Sequence, residues 1–106
     1  MTRVNSAEPG RSRPFFNRGE LQQLLALYSQ RVAEGVWRDY AIDQHRDAVY
    51  FCVFRHSGES PLYRLGKRSD RAVFEVYDGP RRIKRTSSLA DAVHELKRRS
   101  AVRAVT

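Results

Sequence analysis

The chain has 106 residues, 41% of them hydrophobic, with five Tyr, five Phe and one Trp, which suffices for one domain with a modest core and excludes an intrinsically disordered protein. No apolar run approaches a membrane span, the polar and basic start from Met1 to Pro14 lacks the apolar stretch of a secretory signal, and the single Cys52 excludes an internal disulfide. The formal charge of +8 is uneven: residues 1 to 78 carry 12 cations and 10 anions, and residues 79 to 106 carry 8 and 2.

A basic C-terminal quarter is the footprint expected for an anionic partner, with nucleic acid the first candidate. Seventeen of the cations are Arg and three Lys, an excess that a GC-rich genome produces on any solvated surface. A cytoplasmic protein without membrane contact is expected.

Residues 1 to 14 combine Ser, Pro, Gly and Arg, and are expected to form a disordered basic arm. A helix over about 17 to 34 follows. Asn17 can cap it, Glu20 completes a capping box, and Phe16 with Leu21 can form a hydrophobic staple. Leu21, Leu24, Leu25, Tyr28 and Val32 share one stripe, and Gly35 is the expected stop.

The first strand is expected over Val36 to Asp43, with Trp37, Asp39, Ala41 and Asp43 on one side and Arg38, Tyr40 and Ile42 on the other. After a polar connection, Ala48 to Arg55 is apolar at every position but the last. Both its faces therefore need cover, which places it inside the sheet and predicts an apolar face opposite the helices. Cys52 in this strand reads as a small core residue, because burial raises a thiol pKa.

A loop over 57 to 61 precedes a third strand, Leu62 to Lys67, in which Leu62, Arg64 and Gly66 oppose Tyr63, Leu65 and Lys67. A turn over 68 to 71, a fourth strand from Ala72 to Tyr77 and an Asp78-Gly79 turn follow. Because Pro80 comes directly after, Arg81 to Arg85 is expected to be a short edge strand at best. A second helix begins near Ser88, which with Asp91 makes a weaker capping box. Leu89, Ala92, Val93 and Leu96 form its apolar face, and Lys97, Arg98 and Arg99 suit its C-terminal dipole. The expected architecture is α+β: a helix, an antiparallel meander of four or five strands, and a helix, with both helices on one sheet face. The domain spans 15 to 100, and 101 to 106 form a frayed tail.

Three function classes compete. The leading reading is a non-enzymatic module that binds nucleic acid or another polyanion through Arg81, Arg82, Lys84, Arg85, Ser87 and Ser88, with Lys97, Arg98 and Arg99. It joins a basic run to hydroxyl donors and a helix N-terminus. The second is a protein-interaction or homodimer module that uses Tyr50, Phe54 and Tyr63 on the uncovered sheet face. Those rings could also stack bases, although the motif of an RNA-recognition module is absent. The third is a small enzyme around Asp39, Asp43 and Asp47, which requires those carboxylates to share one pocket. His45, His56 and His94 have no metal-site spacing, and no cofactor signature is present.

Several blocks carry a family resemblance: Phe16 to Leu21, Val32-Ala33-Glu34-Gly35-Val36-Trp37-Arg38-Asp39-Tyr40-Ala41-Ile42-Asp43, Phe51 to Arg55, and Glu59-Ser60-Pro61-Leu62-Tyr63-Arg64-Leu65-Gly66-Lys67. Together they resemble the bacterial family catalogued as domain of unknown function 2794, over about Phe15 to Arg85. The resemblance implies a bacterial, cytosolic setting and supplies no mechanism.

Overall fold

The computed structural model describes residues 13–56, 59–68 and 73–101. The expected arm up to residue 12, the tail from 102, and parts of the turns expected over 57 to 61 and 68 to 71 lie outside the described residues.

Helix α1 spans Arg18–Ala33, and its start follows the expected chemistry. The Glu20 amide donates to Asn17 Oδ1 at 2.8 Å and the Asn17 amide donates to Glu20 Oε1 at 2.9 Å, so two otherwise orphaned N–H groups of the first turn are satisfied reciprocally. Gly35 ends the helix with φ +77°, a conformation that costs an L side chain energy and glycine nothing.

The buried stripe of α1 keeps the expected Leu21, Leu24, Leu25 and Tyr28, loses Val32 and gains Leu27 and Arg31. Leu24, Leu27 and Arg31 are buried, Leu21, Leu25 and Tyr28 pack partly against the core, and Val32 is exposed. A second helix lies against α1 and turns its buried arc toward Leu27 and Arg31. The Arg31 guanidinium donates to Ser100 Oγ at 3.0 Å and to the Lys97 carbonyl at 2.7 Å, and pairs with Glu34 at 2.8 Å. A cation thus satisfies the Lys97 carbonyl at the C-terminal end of the second helix, where carbonyls lack intrahelical donors.

Five strands follow: β1 Asp39–Gln44, β2 Ala48–Phe54, β3 Tyr63–Arg68, β4 Val73–Asp78 and β5 Arg81–Thr86. They form one antiparallel sheet in sequence order, and helix α2, Leu89–Arg99, closes the chain. The expected α+β meander is therefore present with five strands, and β5 is a six-residue edge strand even though it starts directly after Pro80. Proline at that position removes no ladder hydrogen bond, and Gly79, at φ +59°, makes the tight connection.

Trp37 corrects the expected first strand. It precedes β1, and its amide donates to the Arg31 carbonyl at 3.3 Å, so it belongs to the turn that ends α1. Its ring is buried on the helix side, 6.3 Å from Tyr28 and 6.5 Å from Tyr63. The expected alternation through Trp37, Asp39 and Ala41 assumed one continuous strand. The chain bends first, which places Trp37 opposite those residues.

One core joins both helices to one sheet face. Tyr40 and Ile42 of β1, Val49, Phe51 and Val53 of β2, Leu65 of β3 and Val76 of β4 meet Leu24 and Leu27 of α1 and Leu89, Ala92 and Leu96 of α2. Cross-strand pairs such as Ile42 with Phe51, Phe51 with Leu65 and Leu65 with Val76 carry this face across the sheet, as side chains directly opposite in an antiparallel ladder must share a face.

Candidate functional site

Strand parity assigns the remaining positions to the other face: Asp39, Ala41 and Asp43 on β1, Ala48, Tyr50, Cys52 and Phe54 on β2, Arg64, Gly66 and Arg68 on β3, Glu75 and Tyr77 on β4. Both helices lie on the opposite side, and no described element covers this one. Its β2 portion is apolar, as β2 alone indicates. The face as a whole is not, because the neighbouring strands contribute charges. Over β3 to β5 it carries Arg64, Arg68, Arg82 and Arg85 against the single carboxylate of Glu75.

A built layer lies at its centre. Tyr50 opposes Gly66 in the ladder, and a Cβ at Gly66 would fall 2.6 Å from the Tyr50 ring. The ring therefore lies across the strand, in the space that only a glycine leaves. The Arg64 guanidinium sits over two rings, 5.2 Å from the centroid of Tyr50 and 4.6 Å from that of Tyr77. The rings themselves meet edge to face at 6.3 Å. Cation–π attraction and the two rings together hold this arginine in place on an open surface.

Beside it, Glu75 is 3% exposed although it is on the uncovered face. It accepts from the Tyr77 hydroxyl at 3.1 Å and from Arg82 at 3.1 Å, with the Arg85 guanidinium at 3.9 Å. Burial, and then the bond to Glu75, hold the Tyr77 hydroxyl above its ordinary pKa. Arg82 and Arg85 are three residues apart and should by parity face opposite ways. A β-bulge opposite Val76 and Tyr77 resets the register, so both arginines address Glu75 while Ile83 turns to the core. Bulges often re-aim side chains in this way.

At the β1–β2 turn, His45, Arg46, Asp47, Ala48, Tyr50, Arg64 and Arg68 line an open depression of about 540 Å³. His45 bonds Asp43 at 2.9 Å and meets the Tyr50 ring at 5.6 Å. At the opposite end of the sheet, Val36, Arg55, Leu62, Tyr63, Arg99 and neighbours line a smaller one of about 300 Å³. There Arg99 is 3.4 Å from Asp78.

The residues singled out in the sequence do not form one surface. Arg82 and Arg85 join the open face. Lys84 pairs in the ladder with Val76, on the helix side, and Arg81 lies at the Asp78 end with Arg99. Arg98 is occupied by Glu95 at 2.7 Å, a bond that lowers the Glu95 pKa and raises that of Arg98, and the adjacent Lys97 is exposed. The expected anchor at the α2 N-terminus is already used internally: Ser88 Oγ accepts from the Asp91 amide at 3.2 Å, and Thr86 Oγ1 accepts from the Ser88 amide at 3.1 Å. Ser87 is exposed beside it.

Of the proposed interface rings, Tyr50 and Phe54 share the open face. Tyr63 does not: it packs against the helix-side core beside Trp37 and donates to the Arg99 carbonyl at 3.3 Å, as its strand parity with Leu65 and Lys67 requires.

The carboxylate trio is not gathered. Asp39 and Asp43 are four residues apart on one strand, about 13 Å at the usual rise. Asp39 accepts from the Tyr40 amide and Asp43 bonds His45, while Asp47 is in the turn. Among the described residues, no three His, Cys, Asp or Glu side chains cluster as a metal site would need. The Cys52 thiol is buried, and desolvation, followed by the nearby Asp43, pushes its pKa up to about 11. That is the opposite of what a nucleophile requires.

A family model described as "Protein of unknown function (DUF2794)" matches residues 14–78. The chain belongs to this family. The matched span of the DUF2794 chain holds α1, β1 to β4, Tyr50, Arg64 and Tyr77, and ends at Asp78, short of the expected Arg85. Strand β5, with Arg82 and Arg85, and helix α2 lie beyond it. No curated protein and no solved structure is a match. No helix among the described residues is long and apolar enough to cross a membrane.

Proposed function

We propose that this protein is a non-enzymatic binding module whose open sheet face takes single-stranded nucleic acid. The observation that carries this reading is the Arg64 guanidinium held over the Tyr50 and Tyr77 rings on an uncovered face, flanked by Arg82 and Arg85. Single-strand binders combine a cationic track for the backbone with ring faces on which bases stack without sequence preference. Arg82 and Arg85 would serve the first role, and the plane of the Arg64 guanidinium, held on the Tyr50 and Tyr77 rings, the second. This reading keeps the anionic partner expected from the charge distribution, retains Arg82 and Arg85 from the expected surface, and replaces Arg81, Lys84, Ser87, Ser88 and Lys97 to Arg99 with the open sheet face.

Glu75 fits the same reading. It fixes Arg82 and Arg85 on the open side, yet their side chains remain nearly half exposed, at 47% and 46%, so each retains donors for a phosphate.

The test is fluorescence anisotropy with labelled oligothymidylate over a range of salt. Affinity is expected to fall steeply with salt, and replacing Arg82 and Arg85 by Ala should reduce the log–log slope by about 0.7 for each phosphate that is no longer neutralised. No binding at low salt, or binding indifferent to these arginines, would refute the reading. A homodimer through the same face is disfavoured by the charges on it. Light scattering that returned a dimer, abolished by Phe54→Asp, would support that alternative.

A further inference from the structure

We infer that the Arg64 guanidinium reads a guanine, so that the open face prefers single strands with guanine at one position of the platform. The inference rests on the single-strand reading of this face and adds which base it selects.

Arg64 differs from the other cations of the face in what holds it. Glu75 fixes Arg82 and Arg85 at the β5 edge. Arg64 lies two strands further in, opposite Tyr77 in the ladder and two residues before Gly66, across which the Tyr50 ring lies. Its guanidinium is 4.6 Å from the centroid of Tyr77 and 5.2 Å from that of Tyr50, and the two rings are inclined at 68° to each other. Among the described residues, this guanidinium donates no hydrogen bond and joins no ion pair. The rings therefore hold the cation through its charge and leave its five N–H donors to water or to a ligand. A guanidinium fixed in this way loses little entropy for each bond it then forms.

Two kinds of group fit such a fork, the oxygens of a phosphate and the edge of a base, and the surroundings separate them. A tetrahedral phosphate would fill the donors and leave the surfaces of Tyr50 and Tyr77 in water. A flat base that meets the fork edge-on also extends over those rings, and the guanidinium plane stays open to the next base of the stack. Phosphates have Arg82 and Arg85, each fixed by Glu75 and nearly half exposed.

Among the bases, guanine presents two acceptors side by side, O6 and N7, and its bidentate pairing with arginine is the commonest specific contact between a protein and a base. On the corresponding edge adenine sets an amino donor beside N7, cytosine presents an amino donor, and thymine has one carbonyl beside a methyl group.

The experiment is fluorescence anisotropy with the full chain and short labelled oligothymidylates in which one central thymine is replaced by guanine, 7-deazaguanine, adenine or cytosine. At fixed salt the guanine strand should bind about ten- to a hundredfold more tightly than the parent, the discrimination of one bidentate pair. The 7-deazaguanine strand lacks the N7 acceptor and should lose most of that gain. Arg64→Lys keeps the charge and removes the fork, so it should bring the ratio of guanine to thymine affinities close to one. Arg64→Ala should leave the log–log salt slope unchanged, because a base contact neutralises no phosphate, whereas Arg82→Ala should reduce the slope by about 0.7 and retain the guanine preference.

Equal affinities for the guanine and thymine strands, or an equal gain from adenine or cytosine, would overturn the inference while the face remained a single-strand platform. So would a gain that 7-deazaguanine or Arg64→Lys retains in full, which would place its origin elsewhere. A salt slope that falls with Arg64→Ala would overturn it by assigning Arg64 to a phosphate. Absence of binding to every oligonucleotide would remove the underlying reading as well.

Discussion

Under the helices the sheet is sealed by Val49, Phe51, Val53, Leu65 and Val76, each at most 1% exposed, whereas on the other side the same strands hold arginines, tyrosines and a buried carboxylate along a face that neither described helix covers. The inner face obtains its order from close packing, which is indifferent to what lies outside the molecule. The outer face obtains its order from ring-to-guanidinium attraction and from Glu75, groups that can also engage a ligand. Two surfaces of one sheet therefore divide stability from recognition, and substitutions should separate the two.

The largest effect on folding is expected at the inner face. Leu65→Ala, at a fully buried position between Phe51 and Val76, should cost about 2 to 5 kcal/mol in urea unfolding. Arg31→Ala follows, at about 2 to 3 kcal/mol, because it leaves the Lys97 carbonyl and Ser100 at the end of α2 without their donor. Gly66→Ala sharpens the contrast. The Cδ1–Cε1 edge of the Tyr50 ring stands in the way, so the whole ring must swing aside at a cost of about 1 to 3 kcal/mol, and its displacement from Arg64 should weaken oligonucleotide binding further than the loss of stability alone. Arg64→Ala should change stability least, by about 0.5 to 1 kcal/mol for removal of the cation–π attraction, and binding most.

Cys52 supplies a pH-dependent check on the outer face. With its pKa pushed up from 9.0 to about 11, the folded protein retains a proton that the unfolded chain releases, so this group's contribution to stability declines as pH rises from about 9 to about 11. The thiol should accordingly react with a disulfide reagent at neutral pH only on unfolding. Fast reaction in the native state would mean that the cover provided by its neighbours on the open face is absent.

Local chemistry made much of this legible in the sequence. Asn17, Glu20 and Gly35 announce the limits of α1, Ser88 caps α2, and the unbroken apolar run of β2 indicates an interior strand. The features that failed depend on neighbours. The parity of β2 describes only its own side chains, so an apolar second face was expected, whereas Arg64, Glu75 and Arg82 on adjacent strands determine its character. Val32 continued the helical stripe until α2 packed against the other flank and buried Leu27 and Arg31.

The candidate site was less legible for the same reason. Arg82 and Arg85 stood out by charge, but only the bulge, for which β5 carries no sequence signal, brings them to one carboxylate. The nesting of Tyr50 on Gly66 requires the register of two strands, which neither strand specifies alone. Arg64 and Tyr77 had no distinguishing signal in one dimension.

The central claim is that recognition belongs to the open face. It is tested most directly by a ¹H–¹⁵N titration of the full chain with oligothymidylate, following backbone amides and arginine Nε–H groups together. The account predicts that the largest shifts fall on Arg64, Arg82 and Arg85 Nε–H and on the amides of β3 to β5 around Gly66 and Tyr77, with α1 and α2 nearly unmoved. Shifts concentrated on Lys97 to Arg99 and the start of α2, with the open face silent, would contradict it.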